Sequence, residues 1–189
     1  MITQVRLATG NAGKAAELGR LLGCTVVPVE EWESPVEDGS TFLANARIKA
    51  LAGARRHPGE WVVADDSGIE VDALDGAPGI HSARYGGDQL DDAGRVTALL
   101  DAVANADTRR ARFRCVLVAI GPDGQEFSAE GTLEGTLAHA PRGANGFGYD
   151  PILIPAADDR TCGELSAAEK NAISHRGAAA SALRDQLGL

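Results

Sequence analysis

The chain has few cysteines, and their spacing does not suggest a pair. Cys24, Cys115 and Cys162 are odd in number and far apart, and no CxxC motif occurs. This argues against a disulfide framework and against a cysteine-based zinc site. No apolar stretch approaches the roughly 20 residues that a membrane-spanning helix needs, and the start, Met1–Arg6, lacks the apolar segment of a signal peptide. We therefore expect a reduced, cytoplasmic protein with no membrane partner.

Positive charge is also scarce. The 189 residues include 27 acidic and 18 basic side chains, which gives a net charge of −9 at pH 7. Because a surface that binds the nucleic-acid backbone is basic, we expect no nucleic-acid partner, although a nucleotide substrate is not excluded. Only Lys14, Lys49 and Lys170 are lysines, against 15 arginines. They are candidates for positions that need a compact ammonium group, and chance retention is the equally weighted alternative.

The pattern of apolar residues predicts strands that alternate with helices, followed by a hairpin. The expected strands are Gln4–Ala8, Thr25–Val29, the run Trp61–Ala64 ending at Asp65, Arg112–Ile120 and Gln125–Thr136. The expected helices are Lys14–Leu22, Thr41–Arg56, about Leu90–Val103, a short helix opened by a Ser166 and Glu169 capping box, and about His175–Leu187. This order favours a mixed α/β sheet, and no linker or repeat divides residues 1–189, so we expect a single domain.

Two adjacent carboxylates, Asp65 and Asp66, follow a buried apolar run and precede Ser67 and Gly68. Small polar residues and glycine are typical of a strand end, so we expect the strand to stop there. Two like charges in a partly buried position repel each other and lose hydration. A divalent cation or a proton-transfer task would offset that cost, which indicates an enzyme.

Two further stretches could contribute to chemistry near a strand end. Thr9, Gly10, Asn11, Ala12, Gly13 and Lys14 join the first strand to the first helix. Helix-start amides, two glycines and a lysine favour an anion, although an ordinary strand-to-helix turn is the more frequent meaning of such a stretch. Glu37 lies in an acidic loop, and Lys49 lies in the helix that follows; each is more often a solvated side chain.

Two later stretches could recognise a planar ligand. Phe147, Gly148, Tyr149 and Asp150 follow Gly146, and an exposed ring there could stack on a base while the carboxylate accepts from ring N–H groups. An aromatic residue that closes the edge of a core is the alternative. The segment Glu169–Gly177 is dense in donors, among them Lys170, His175 and Arg176.

Taken in order, these stretches resemble the inosine triphosphate pyrophosphatase family, in its bacterial branch. The resemblance covers nearly the whole chain. Its motifs are Leu7-Ala8-Thr9-Gly10-Asn11-x-x-Lys14, Glu37-x-Gly39-x-Thr41-Phe42-x-x-Asn45-Ala46-x-x-Lys49, Ala64-Asp65-Asp66-Ser67-Gly68, Gly76-Ala77-Pro78-Gly79-Ile80-x-Ser82-Ala83-Arg84-Tyr85, Gly146-Phe147-Gly148-Tyr149-Asp150-Pro151 and Glu169-Lys170-x-Ala172-Ile173-Ser174-His175-Arg176-Gly177. Each motif alone is weak or moderate, whereas the ordered set is specific.

The resemblance implies an α/β fold with a long twisted mixed sheet flanked by helices, and two lobes with a deep active-site cleft between them. It implies a homodimer that uses Mg²⁺ to hydrolyse ITP, dITP and XTP to the monophosphate and pyrophosphate. By the same resemblance, Glu37 and Asp66 bind the metal, and Asp66 accepts a proton from water beside Asp65 and Lys49. Residues Thr9 to Lys14 hold the triphosphate, and Ser67 contacts substrate. The base is held by Phe147, Gly148, Tyr149, Asp150, Lys170, His175 and Arg176.

The chain departs from the resembled pattern at a few positions. Ala44 stands where glutamate is common, which removes a capping-box partner, and His81 and Arg95 replace residues that are often aromatic and asparagine. Alternative functions are a nucleotide-binding sensor without turnover and a pyrophosphatase for another modified nucleotide. An aspartyl-phosphate phosphatase is a third, but its DxDx[TV] spacing is absent.

Overall fold

The computed structural model describes residues 2–189 and contains one six-stranded sheet. The strands are β1 (Gln4–Leu7), β2 (Thr25–Pro28), β3 (Val62–Val71), β4 (Arg110–Ile120), β5 (Glu126–Leu137) and β6 (Leu153–Pro155). The helices are α1 (Ala12–Leu21), α2 (Phe42–Arg56), α3 (Asp92–Ala102), α4 (Ala167–Ile173) and α5 (His175–Leu187). Short 3-10 turns cover Asp72–Leu74, Gly79–Arg84 and Cys162–Glu164.

The sheet is mixed and runs in the order β2–β1–β3–β4–β5–β6. Strand β1 pairs in parallel with both β2 and β3, whereas β6 pairs antiparallel with β5. Parallel neighbours need a crossover, and α1 supplies the one between β1 and β2. The predicted α/β class with a mixed sheet is therefore confirmed.

The chain divides into two compact units, each with its own apolar core. Unit 1 comprises the chain up to Asp66 together with Cys115–Gly131 and His175–Leu189, and unit 2 comprises Ser67–Arg114 and Thr132–Ser174. The core of unit 1 includes Leu7, Leu18, Leu117 and Leu183, and the core of unit 2 includes Ile69, Leu99, Phe113 and Leu153. The single domain over residues 1–189 and the cleft between lobes stay predictions.

Helix ends follow the capping residues in the sequence. Thr41 caps α2 through a hydrogen bond from Ala44 N–H to its Oγ1 at 3.1 Å. Ser166 and Glu169 form the predicted capping box at the start of α4. Within residues 2–189, no helix is long and apolar enough to cross a membrane.

The prediction that β3 ends at Asp65 is wrong, because the strand continues to Val71. Gly68 is therefore an interior strand residue and does not mark a turn. A Cβ atom at this position would collide with Gly79 O and with Ser82 Oγ. The same hydroxyl accepts a hydrogen bond from Ile69 N–H at 2.9 Å. The glycine thus permits close packing inside a strand, which sequence alone does not distinguish from a strand end.

Strand β6 has no counterpart among the predicted strands. It has three residues, which is too short for an alternating pattern, and one of them is Pro155. Its partners are Gly135, Thr136 and Leu137 of β5. The strand therefore depends on pairing with a distant segment, which local sequence does not encode.

Candidate active site

In unit 1, the turn between β1 and α1 presents helix-start amides and a lysine. Asn11 caps α1, because its Oδ1 accepts from Lys14 N–H at 3.0 Å while its own N–H donates to Thr9 Oγ1 at 3.2 Å. Gly10, Asn11 and Ala12 are exposed, and Gly13 is half-buried. Amides at a helix N-terminus favour an anion, and the binding of a triphosphate by this turn stays a prediction.

Lys14 extends from this turn to Asp65, with Nζ 3.0 Å from Oδ2. The Asp65 side chain is fully buried, and Arg176 also approaches its Oδ2, at 3.7 Å. Burial acts to raise the pKa of Asp65, but the charges of Lys14, Arg176 and Lys49 outweigh it and lower the pKa below its ordinary value. Asp65 is therefore held ionised among several cations.

Asp66 and Glu37 converge on one ammonium group in unit 1. Lys49 Nζ lies 2.8 Å from Glu37 Oε2 and 3.0 Å from Asp66 Oδ1. Burial raises the pKa of Asp66, because Lys49 and Lys14 offset only part of the lost hydration. Burial acts to lower the pKa of Lys49, but the neighbouring carboxylates outweigh it and raise that pKa. Lys49 is thus a buried, charged partner of two carboxylates and not the solvated side chain that is more frequent at such a position.

Arg176 and His175 begin α5 and are both buried. The Arg176 guanidinium contacts Glu17 Oε2 and the Asp65 carboxylate. Burial acts to lower the pKa of Arg176, but Asp65, Cys115 and Glu17 raise it above its ordinary value. Glu17 is a functional candidate that was not predicted from sequence. The only local indication in the sequence is its position next to Leu18, since both residues lie on the buried side of α1.

In unit 2, Phe147, Asp150 and Lys170 form a second cluster. Lys170 Nζ is 2.5 Å from Asp150 Oδ2 and 4.9 Å from the centre of the Phe147 ring, within range of a cation–π contact. Asp150 Oδ2 also accepts from Phe147 N–H at 2.8 Å. Gly146 has φ +77°, and a Cβ atom there would collide with the Asp150 carboxylate. This position therefore requires glycine.

We define residues 146–150 as the glycine loop, and further contacts anchor it within unit 2. Tyr149 donates its hydroxyl to Ser82 O at 2.8 Å, and burial raises the pKa of Tyr149 to about 12. Gly148 N–H donates to Asp92 Oδ2 at 2.8 Å. The contact of Asp92 with the glycine loop was not predicted from sequence, because 56 residues separate Asp92 from Gly148. Ser67 lies half-buried in β3.

Unit 2 also contains an open groove of about 860 Å³ along β5 and β6. Arg109, Arg142, His139, Asp158 and Asp159 are among its lining residues. Arg109 is engaged by backbone carbonyls, donating to Leu137 O at 2.9 Å and to Ala138 O at 2.7 Å. None of the predicted site residues lines this groove.

The predicted residues therefore belong to two clusters of polar groups. Comparison with known proteins identifies relatives of the chain. The sequence profile of the Ham1 family matches residues 5–186. A dITP/XTP pyrophosphatase of Streptomyces coelicolor is 48% identical in an alignment of 192 positions, which covers 96% of this chain and 96% of that one. A HAM1 protein structure from Coxiella burnetii matches with a TM-score of 0.87 at 41% identity, covering 100% of this chain and 99% of that one. The structure of a nucleoside-triphosphatase / dITP/XTP pyrophosphatase from Mycobacterium abscessus matches with a TM-score of 0.76 at 41% identity, covering 98% of this chain and 100% of that one. A profile match over nearly the whole chain, with identities above 40%, confirms the predicted family, and the chain belongs to the Ham1 family.

Proposed function

We propose that this protein hydrolyses noncanonical purine nucleoside triphosphates (ITP, dITP and XTP) to the nucleoside monophosphate and pyrophosphate, with Mg²⁺ as cofactor. It acts as a homodimer in the cytoplasm and removes these compounds from the nucleotide pool. The observation that carries the proposal is the 48% identity to a dITP/XTP pyrophosphatase over 96% of both chains. The geometry of the two clusters supports the roles proposed for the residues that form them.

The unit 1 cluster is assigned to the triphosphate. The turn Thr9 to Lys14 offers amides and one ammonium group, which can stabilise the charge on a departing pyrophosphate. Asp66 takes the proton of the attacking water as the water oxygen bonds to the α-phosphorus and the bond to the pyrophosphate oxygen breaks. Asp65, held by Lys14 and Arg176, keeps these cations in place.

The donor set is consistent with Mg²⁺. Glu37 and Asp66 already converge on one cation, and Asp66 Oδ2 is buried with no hydrogen-bond partner among residues 2–189. Within the same residues, no group of three or more His, Cys, Asp or Glu side chains could hold a metal by itself. Mg²⁺ commonly binds through one or two carboxylates plus substrate phosphates, so two protein ligands are sufficient. When bound, the ion would supply neutralisation of phosphate charge.

The base is assigned to Phe147, Gly148, Tyr149, Asp150, Lys170, His175 and Arg176, and Ser67 also contacts substrate. The Phe147 ring can stack on a purine, and Asp150 can accept from ring N–H groups. Hypoxanthine and xanthine carry a C6 carbonyl where adenine has an amino group. Donors from His175 and Arg176 match the carbonyl and are left unpaired by ATP, a mismatch worth on the order of 10⁴-fold. Carboxylates on both sides of Arg176 fix its orientation.

The test is pyrophosphate release from dITP, XTP, dGTP and ATP by the wild type and by Asp66→Asn. We expect dITP and XTP to be strongly preferred, and Asp66→Asn to lose activity by at least about 10²-fold, because a proton acceptor contributes about 10²–10⁴. Asp185→Asn, at an exposed position of α5, is the matched control and should retain activity.

Other outcomes would refute a part of the proposal or indicate a different function. Similar turnover of all four substrates would refute base selectivity, and an active Asp66→Asn would refute the role of that carboxylate. Tight binding of dITP without pyrophosphate release would indicate a nucleotide sensor. Turnover restricted to another modified nucleotide would indicate a different pyrophosphatase, and a phosphorylated aspartate would indicate an aspartyl-phosphate mechanism.

A further inference from the structure

Asp92 connects helix α3 to the glycine loop. Its Oδ2 accepts from Gly148 N–H at 2.8 Å, and its Oδ1 accepts from Arg95 Nη1 at 2.9 Å. Asp92 is not needed to cap its own helix, because Asp91 fills that role by accepting from Gly94 N–H at 2.8 Å. The Asp92 carboxylate is therefore directed to a distant loop and to one neighbour on the helix.

Three consecutive residues of the glycine loop have separate anchors. Asp150 accepts a hydrogen bond from Phe147 N–H, and Ser82 O accepts one from the Tyr149 hydroxyl. Between these residues, Gly148 N–H donates to Asp92. Gly148 adopts φ +59°, so its peptide orientation sets the directions of the side chains on either side. Of these anchors, Asp92 is the one whose side chain is largely exposed, at 54%. Arg95, with only 19% of its side chain exposed, restricts the carboxylate.

We propose that Asp92, held in place by Arg95, is a positioning residue that fixes the glycine loop for binding of the base. The inference rests on the proposed function and deepens it, since it identifies a determinant of base affinity outside the residues that contact the base. Asp92 acts through Gly148 and touches neither substrate nor reacting atoms. Its loss therefore weakens binding of the base in ground state and transition state alike, which raises KM and leaves kcat nearly unchanged.

The experiment compares Asp92→Ala, Asp92→Asn, Arg95→Gln and the double variant Asp92→Ala/Arg95→Gln with the wild type. For dITP and XTP, we expect Asp92→Ala to raise KM about threefold to tenfold, the effect of losing one hydrogen bond, with kcat within about twofold. Asp92→Asn retains an acceptor for Gly148 N–H and should partly restore KM. Arg95→Gln should raise KM by about twofold and add nothing in the double variant, because it acts through Asp92.

Hydrogen exchange provides a second readout that needs no substrate. In Asp92→Ala, we expect faster exchange in a peptide that covers the glycine loop and unchanged exchange in α3. Asp101→Ala, exposed near the other end of α3, is the matched control and should alter neither exchange nor KM.

Unchanged KM and unchanged loop exchange in Asp92→Ala would overturn the inference. A fall in kcat at constant KM, or an additive effect of Arg95→Gln in the double variant, would also contradict it. If the wild type does not release pyrophosphate from dITP or XTP, the proposed function fails instead. Loop exchange then decides by itself whether Asp92 holds Gly148.

Discussion

The two clusters of functional candidates differ in how they hold a buried carboxylate. In unit 1, Asp65 lies among Lys14, Arg176 and Lys49, and Asp66 shares Lys49 with Glu37. In unit 2, Asp150 pairs with Lys170 at 2.5 Å and accepts from the backbone of Phe147. The first arrangement is a network of charges on a strand, several helices and a loop, whereas the second is a close ion pair that shapes a loop.

This difference separates two ways of making a polar site stable. In the network of unit 1, several partners share the cost of burial, and the balance differs between neighbours. The cations lower the pKa of Asp65 below its ordinary value, whereas burial raises the pKa of Asp66. In unit 2, the close ion pair of Asp150 with Lys170 offsets a large share of that cost, and removing one side chain takes this share away from the other. Removing the shared carboxylate of the network, Asp65, should therefore cause the largest loss of stability. Among the cations, removing Lys170 from the ion pair should cost more stability than removing Lys14 from the network.

The largest effect is expected from Asp65→Ala. The substitution leaves Lys14 and Arg176 without a carboxylate that both approach, in a fully buried position. We expect a loss of about 3–5 kcal/mol in the free energy of unfolding, the usual result of breaking a buried ion pair. Urea denaturation measures this loss as a lower midpoint at unchanged slope.

Asp185→Ala, exposed in the same unit, is the control for Asp65→Ala and should change stability by less than about 0.5 kcal/mol. A loss below about 1 kcal/mol for Asp65→Ala would show that the network does not stabilise unit 1.

The second prediction compares one cation from each cluster. Lys170→Met leaves the buried Asp150 carboxylate without its 2.5 Å partner and removes the contact with the Phe147 ring, so we expect a loss of about 3 kcal/mol. Lys14→Met should cost only about 1 kcal/mol, because Arg176 also approaches Asp65. Urea unfolding of both variants gives the difference, and methionine preserves the length of each side chain. Equal losses would remove the distinction between network and pair.

Sequence patterns predicted the elements of the fold better than the depth at which charged residues lie. The bounds of α5 and the Ser166 capping box follow from local chemistry and periodicity. Local pattern alone favours a solvated Lys49 and a strand that ends at Asp65, because burial and strand pairing depend on contacts with distant residues. Asp92 is the clearest case, since its partner Gly148 is brought to it only by the tertiary fold. Residue-by-residue resemblance identified the candidates, but it did not predict these partners.

The smallest effect is expected outside both clusters, at the start of α2, the helix that carries Lys49. Thr41 caps this helix through Ala44 N–H, but Ala44 has no carboxylate to accept from Thr41 N–H in return. Ala44→Glu should complete a capping box and raise the free energy of unfolding by up to about 1 kcal/mol. Ala44→Lys, equally suited to a helix but without an acceptor, is the matched control and should give no gain. Urea midpoints of the two variants decide it, because equal stabilities would show that the missing glutamate does not weaken the start of α2.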